Sequence, residues 1–459
     1  MISDLALSHF KCWQDTGHFS LAPLTLLFGP NSAGKSSLGH WLLALKQTAQ
    51  SADRRRALNL GDERSLVDLG TFADCLFRHD LSRPLQFSLR WSLPEPLEIR
   101  DPLTAGHWVG TSLGFDASLG ADLGGQPEIR ALRYRLMDGR AERIAVMLER
   151  NDGRLHLSST GYDLVSAPTR EGPLEPPEKF YRIGDASLAR FLNAGFLSDF
   201  ALAFESMLSR VFYLGPLREA PRRIYAWSGD APEDLGSRGE YAVAAILAAT
   251  AQGRTIALHA NEEPAPFAAV IAGQLRQLGV IDAFDVVPVA PGRREYEVLI
   301  RTHQGGSLVR LTDVGFGVSQ VLAPVVQAFH CPANAVVWIE QPELHLHPRV
   351  QANLVDLFIS AIRAREDDRD RGVQLIIESH SEHLLNRLQL RIAERRLSPD
   401  DVAVYFCSQG KDGAEMERLQ LDADGEISNW PPGFFGDEMA DIAGRAMAAL
   451  KYRSAHGAD

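Results

Sequence analysis

The run Gly29-Pro30-Asn31-Ser32-Ala33-Gly34-Lys35-Ser36 satisfies the spacing GxxxxGK[ST] at every position. Small residues let the backbone wrap closely, so that successive N–H groups and the start of a following helix converge on a phosphate. In such a loop Lys35 reaches the β and γ phosphates and the Ser36 hydroxyl is a ligand for Mg²⁺. Ser37 follows directly. A second run, Val336-Val337-Trp338-Ile339-Glu340-Gln341-Pro342-Glu343, ends four apolar residues in an acid. A carboxylate at the C-terminal edge of a strand can hold Mg²⁺ through its waters beside such a loop. Glu340 is therefore the second expected metal contact, although the pattern alone equally describes a core strand that ends in Glu.

Two further runs carry candidate groups. Leu311-Thr312-Asp313-Val314-Gly315-Phe316-Gly317-Val318-Ser319-Gln320 precedes an apolar helical stretch from Val321. Small residues at a helix start build an anion site, here with Gly315, Gly317, Ser319 and Gln320. The plain alternative is a Gly turn before a core helix. Ile377-Glu378-Ser379-His380-Ser381-Glu382-His383 sets His380 at the end of another apolar run. His345 and His347 form an HxH pair, but no third or fourth ligand stands at suitable spacing for zinc. Cys12, Cys75, Cys331 and Cys407 are far apart and form no CxxC pair, which argues against a zinc site and a disulfide framework.

These groups need strands that end at them and helices that start there. Ser20–Phe28 reads as a short buried strand and Ser36–Gln47 as a helix, with the glycine-rich turn between them. Ala335–Ile339 and Val373–Ile377 suit central strands, and the helical stretches Arg349–Arg365 and Ser381–Arg395 follow them. From Pro84 to Ser209 the character changes. Leu85–Trp91, Glu142–Leu148 and Leu155–Ser158 alternate like antiparallel strands between Pro and Gly turns. Asp185–Leu208 and Glu240–Gln252 read as helices and Arg363–Gly372 as a solvated loop. Val402–Cys407 and Met416–Leu421 suggest two more strands, and a last helix is expected over Asp437–Leu450. The resulting division is 1–83 with the phosphate loop, 84–209 as an inserted arm or lid, 210–307 as a return segment, 308–410 with the remaining motifs, and 411–459 as a small C-terminal extension.

The chain of 459 residues is 45% hydrophobic and 23% charged, which fits a globular protein with a substantial core. A net charge of −12 argues against a basic nucleic-acid sheath, while leaving room for a local basic patch. No apolar stretch approaches the roughly 18 residues of a membrane helix, so the expected location is a reducing cytoplasm with no membrane partner.

In chain order these motifs follow the order of ABC-type ATPase heads: P-loop, signature-like loop, Walker B strand, D-loop and switch histidine. The sequence resembles the OLD/RecF/SMC-like branch, in which a large insertion separates the P-loop from the rest. Asp4–Gln14, with Phe10 and Lys11, looks like that branch's N-terminal hairpin, which approaches adenine and phosphates. EQPELHLHP at 340–348 and SHSEHLLNRL at 379–388 are similar to bacterial OLD-like ATPases that end in a small domain of uncharacterised function. Trp430-Pro431-Pro432-Gly433-Phe434-Phe435 and Tyr213-Leu214-Gly215-Pro216-Leu217-Arg218, then Pro221, look like segments of the same group. The resemblance covers both ends of the chain well and 84–209 poorly. Two positions depart from it. Leu69-Gly70-Thr71-Phe72-Ala73-Asp74 stands at the Q-loop without a Gln, and Gln341 stands where most ABC heads carry the catalytic Glu.

The resemblance implies an α/β P-loop NTPase of the ABC-ATPase head type, with a mixed central sheet and helices interrupted by a strand-rich inserted domain. ATP and Mg²⁺ would be its cofactors, and two heads would close around two nucleotides as a homodimer or higher even oligomer. Glu340, Gln341, Glu343 and His380 would do the chemistry. The expected role is a switch in bacterial antiphage defence, similar to Septu-type ATPases, with a separate effector such as a nuclease. The only DxD near the end is Asp422-x-Asp424, in a short turn just before the Trp430 segment, so no fused Toprim nuclease is expected. The alternatives are a DNA-repair ATPase that binds DNA directly and a nucleotide-binding scaffold that hydrolyses weakly.

Overall fold

The computed structural model describes residues 1–168 and 172–431, together with 434 and 447. Two sheets carry the fold. In the six-stranded sheet the order is Val211–Leu214, Val336–Glu340, Gln374–Glu378, Leu24–Phe28, Val402–Gly410, Gly413–Arg418. The first five strands are parallel and the last is antiparallel. Parallel strands buried on both faces read as continuous apolar runs. Leu24–Phe28, Val336–Glu340 and Gln374–Glu378 are buried at every position. The pleat then divides them: Val336 and Trp338 enter one core, and Val337 and Ile339 the other.

One core lies between this sheet and an eight-stranded sheet. That second sheet is built on Ile2–Phe10, which pairs with Trp13–Asp15, Phe19–Ser20 and Leu85–Arg100. The strands His107–Ala121, Pro127–Asp138, Ala141–Asn151 and Arg154–Thr160 extend it by antiparallel pairing. The strands of the expected insertion therefore continue the N-terminal sheet, and their core residues Phe87, Phe115 and Leu148 share a cluster with Trp41 and Leu42 of the helix Lys35–Gln50. The other core packs Phe316–His330 and Pro348–Arg363 against the opposite face.

Several elements differ from the sequence expectation. Ser20–Phe28 splits: Phe19–Ser20 pairs with Ile2–Phe10, and only Leu24–Phe28 joins the central sheet. The helix expected over Asp185–Leu208 is two, Asp185–Leu188 and Phe196–Ser209. The break is made by Asn193, whose buried amide accepts from Val165 N (2.9 Å) and donates to Asp163 O (2.8 Å), anchoring a loop instead of a helical turn. Asp422 accepts from the backbone N–H groups of Asp424 and Glu426, and Asp424 pairs with Arg395, so Asp422-x-Asp424 is an Asx turn. The last helix expected over Asp437–Leu450 falls outside the described residues except for position 447, as do Pro432, Gly433 and Phe435. Phe434 is described, and its ring packs against Phe28 and Phe406 at the edge of the central sheet.

Gly39 lets the helix Lys35–Gln50 lie directly on the central sheet. A Cβ there would stand 2.7 Å from the Trp338 ring. Gly39→Ala gains about 1 kcal/mol of helix propensity but overpacks a fully buried indole, at a cost of about 1–3 kcal/mol. We expect thermal unfolding to show a lower Tm. A higher Tm would mean that the helix and the sheet are not held this closely.

Candidate nucleotide site

Residues 29–34 form a turn that few side chains could adopt. Gly29 has φ 138°, and a Cβ there would meet Cys407 O at 2.0 Å. Gly34 has φ 90°, and its Cβ would meet Cys12 Sγ at 2.5 Å and Trp13 Nε1 at 2.8 Å. Glycine alone satisfies both demands. The hairpin Ile2–Asp15 thus packs against the loop, and Trp13 Nε1 donates to Ser37 Oγ (2.9 Å) and Gly34 O (3.2 Å). Ser37 is therefore engaged with the hairpin. Pro30, Asn31 and Ser32 are exposed, Ala33 is buried, and Ser32 O accepts from Gln409 (2.6 Å).

Lys35 is 5% exposed, and its ammonium donates to Gly29 O (2.8 Å) and Pro30 O (2.9 Å), at the rim where a phosphate would sit. Burial lowers its pKa, against the opposing pull of Glu378 and Glu340. Ser36 Oγ donates towards Glu378 Oε2 (2.7 Å) and Glu340 Oε2 (3.2 Å). Tyr213 donates to Glu340 Oε1 (2.6 Å), and Arg218 donates to Glu340 O (3.0 Å). Burial raises the Glu340 pKa and lowers that of Arg218 to about 10. These hard oxygens, Ser36 and Glu340 foremost, fit a Mg²⁺ ion beside a phosphate.

Beyond Glu340 the chain turns sharply. Gln341 has φ 43°, and its N–H donates to Glu378 O (2.8 Å). Glu343 is 7% exposed, and its Oε1 accepts from His380 N (2.8 Å). Its Oε2 has no hydrogen-bond partner among the described residues, and burial raises its pKa. His380 is exposed, and burial of part of its ring together with the Lys35 charge lowers its pKa, which favours the neutral imidazole. His345 has φ 62° in the following turn, and His347 caps the helix Pro348–Arg363 by accepting from Arg349 N (3.3 Å). The HxH pair thus serves a turn and a helix start.

The structure gathers Lys35, Ser36, Glu340, Gln341, Glu343 and His380 at one edge of the sheet. Gly315 caps the helix Phe316–His330, and Ser319 and Gln320 are buried in its early turns. A Cβ at Gly317 would contact His345 O (3.3 Å) and Leu346 (3.4 Å), so this helix start packs on the turn after Glu343. Lys11 stands at the hairpin tip with φ 48°, tied by its N–H to Cys75 O (2.8 Å). Its charge joins burial in lowering the His40 pKa to about 4. Glu378 stands beside Ser36 and Glu340 although none of the four motifs marks it as a site residue. Its signal was available, because Leu375-Ile376-Ile377-Glu378 repeats the apolar-run-then-acid pattern of Val337-Trp338-Ile339-Glu340.

The strand of His380 lies between the loop strand and the acid strand, and the phosphate loop opens at their common edge. This is the fold of a P-loop NTPase of the ABC-ATPase head type. Residues 232–386 match the family model described as "AAA domain, putative AbiEii toxin, Type IV TA system". Residues 397–443 match the model described as "Protein of unknown function (DUF3696)". The loop 29–36 lies outside both matches. No curated protein matches the chain. Among solved structures, the chain is similar to an SMC head bound to the C-winged helix domain of ScpA, at 9% identity, 92% coverage of this chain, 98% of that one and a TM-score of 0.45. It is also similar to an SMC head domain from Thermotoga maritima (10% identity, 92% and 99% coverage, TM-score 0.37). An SMC head from Pyrococcus furiosus with an extended coiled coil, bound to the C-terminal domain of ScpA, matches at 10% identity, 97% and 99% coverage and a TM-score of 0.40. No described helix is long and apolar enough to cross a membrane.

Lys35→Ala removes the cation while the loop keeps its glycine geometry. We expect binding of a labelled ATP analogue to be lost or greatly weakened with the far-UV spectrum unchanged. Wild-type affinity in the variant would overturn the assignment of this loop.

Proposed function

We propose that this chain binds ATP with Mg²⁺, hydrolyses it, and acts as one of two heads that close around two nucleotides. The observation that carries this reading is the convergence of Lys35, Ser36, Glu340 and His380 at one sheet edge. Lys35 would exchange the carbonyls of Gly29 and Pro30 for phosphate oxygens, which are stronger acceptors. Ser36 and Glu340 would hold Mg²⁺, which supplies charge neutralisation at the phosphates. The starts of two helices, at Lys35 and Phe316, offer N–H groups to anions, the second one to the γ-phosphate held by the partner head. Bound nucleotide then glues the dimer, and hydrolysis releases it, which makes ATP a conformational switch.

A regulatory role with a separate effector, such as a nuclease in antiphage defence, is supported by the resemblance of 340–348 and 379–388 to OLD-like and Septu-type ATPases. The description of the matched AAA model as a putative toxin points the same way. A DNA-repair ATPase that binds DNA directly is the alternative; turnover stimulated by DNA alone would favour it. The observation that favours a slow head is Gln341, since a neutral amide cannot usefully accept the proton of an attacking water.

The exposed His380 would face that water, and Glu343 would hold its backbone from behind. Single-turnover hydrolysis should be slowed by roughly 10²–10⁴-fold in His380→Ala if the imidazole is the base. Glu343→Gln should also be slower, and Gln341→Glu equal or faster. The Glu343→Gln/His380→Ala double variant should be no slower than His380→Ala, because both changes act on one group. Normal hydrolysis in Glu343→Gln beside a dead His380→Ala would remove Glu343 from the mechanism.

Closure should appear as ATP- and Mg²⁺-dependent crosslinking across the head seam. Ser319 is buried, so the exposed cap Gly315, with open space around an added Cβ, is the position to test: Gly315→Arg should abolish that crosslinking by bulk while ATP still binds each monomer. Undiminished crosslinking in Gly315→Arg would refute the contact in trans.

A further inference from the structure

Glu378 is buried more deeply than Glu340, at 2% and 6% exposure, and the two residues are direct register partners on adjacent parallel strands. Adjacent carboxylates on one sheet face repel, and two in a buried edge need compensating positive charge. The hydrogen bonds around them supply little. Tyr213 satisfies Glu340 Oε1 (2.6 Å) and Trp338 Nε1 satisfies Glu378 Oε1 (2.5 Å). The two remaining oxygens, Glu340 Oε2 and Glu378 Oε2, both face Ser36 Oγ. A hydroxyl carries one proton, so it donates to only one of them at a time. The nearby Lys35 ammonium is committed to the carbonyls of Gly29 and Pro30.

We propose that Glu378 is a second acidic residue of the divalent-cation site, so that the cation is held by Ser36 and two carboxylates rather than by Ser36 and Glu340 alone. This rests on the nucleotide-site reading above and adds to it a residue that no motif of that site includes. Two carboxylate oxygens and a hydroxyl converging at a phosphate loop are the donor set of a hard dication such as Mg²⁺ or Mn²⁺. Trp338 acts behind it as a positioning residue. Its indole N–H fixes one Glu378 oxygen and thereby aims the other at Ser36. The competing arrangement is a carboxyl pair that shares a proton permanently and never meets a metal.

The experiment is a titration of the full chain with Mn²⁺ in the presence of a saturating non-hydrolysable ATP analogue, with free Mn²⁺ read by electron paramagnetic resonance. Glu378→Gln is isosteric and keeps an acceptor for Trp338. It should weaken Mn²⁺ binding by roughly 10–100-fold, the usual cost of losing a group that holds or supports a metal. Nucleotide affinity in EDTA should not fall below the wild-type value, because without the metal an anion beside the phosphate can only repel it. Trp338→Phe should weaken Mn²⁺ binding in the same direction by less. Wild-type Mn²⁺ affinity in Glu378→Gln would overturn the proposal and leave the shared proton as the account of the pair. Failure of the wild-type chain to bind the analogue at all would instead overturn the reading of the nucleotide site.

Discussion

Three buried ionisable side chains, Lys35, Glu340 and Glu378, meet at one edge of the six-stranded sheet. Burial of isolated charges is costly unless they are paired or hydrogen-bonded. Burial, and then the neighbouring Glu340, raise the Glu378 pKa, and burial lowers that of Lys35, so both shifts favour the neutral form of the group. The neighbouring polar groups reduce that cost: Ser36 and Tyr213 at Glu340, Trp338 at Glu378, and two loop carbonyls at Lys35. A phosphate and a dication would satisfy the same groups more fully, which is how a site stores affinity before its ligand arrives.

The surrounding architecture keeps that edge rigid. Five parallel strands fix the order in which loop, acid and histidine stand side by side. The hairpin Ile2–Asp15 presses Cys12 and Trp13 onto Gly34, and Gly39 allows the helix Lys35–Gln50 to lie on Trp338. Trp338 links the two levels, since its ring is core and its N–H holds Glu378. A change in helix packing at Gly39 therefore reaches the acids through one indole. The antiparallel strands from Leu85 to Thr160 add their mass to the hairpin's own sheet, so the hairpin is a rooted strand and not a loose arm.

Much of this was legible in the sequence because it rests on local signals. The glycine spacing at 29–36 and the apolar runs ending at Glu340 and near His380 identify their elements without tertiary information. The pairing of Leu85–Arg100 with Ile2–Phe10 was not legible, since no local pattern records which distant strand a strand will join. Nor was the break at Asn193, where a side-chain amide bonds a remote loop in place of a helical turn. Glu378 escaped for a different reason. Its neighbour His380 drew the chemical reading, and only the register that sets Glu378 beside Glu340 shows the acid to be part of the site.

If Lys35, Glu340 and Glu378 belong to one Mg²⁺·ATP site, segments hundreds of residues apart must respond together to its ligands. Hydrogen–deuterium exchange on the wild-type chain, with and without ATP analogue and Mg²⁺, reads that response. New protection is expected at the loop 29–36, at the turn after Glu340 and at the Glu378–Ser381 segment together, with the second and third weakened when EDTA replaces Mg²⁺. Protection confined to one of the three, or none at any, would contradict it.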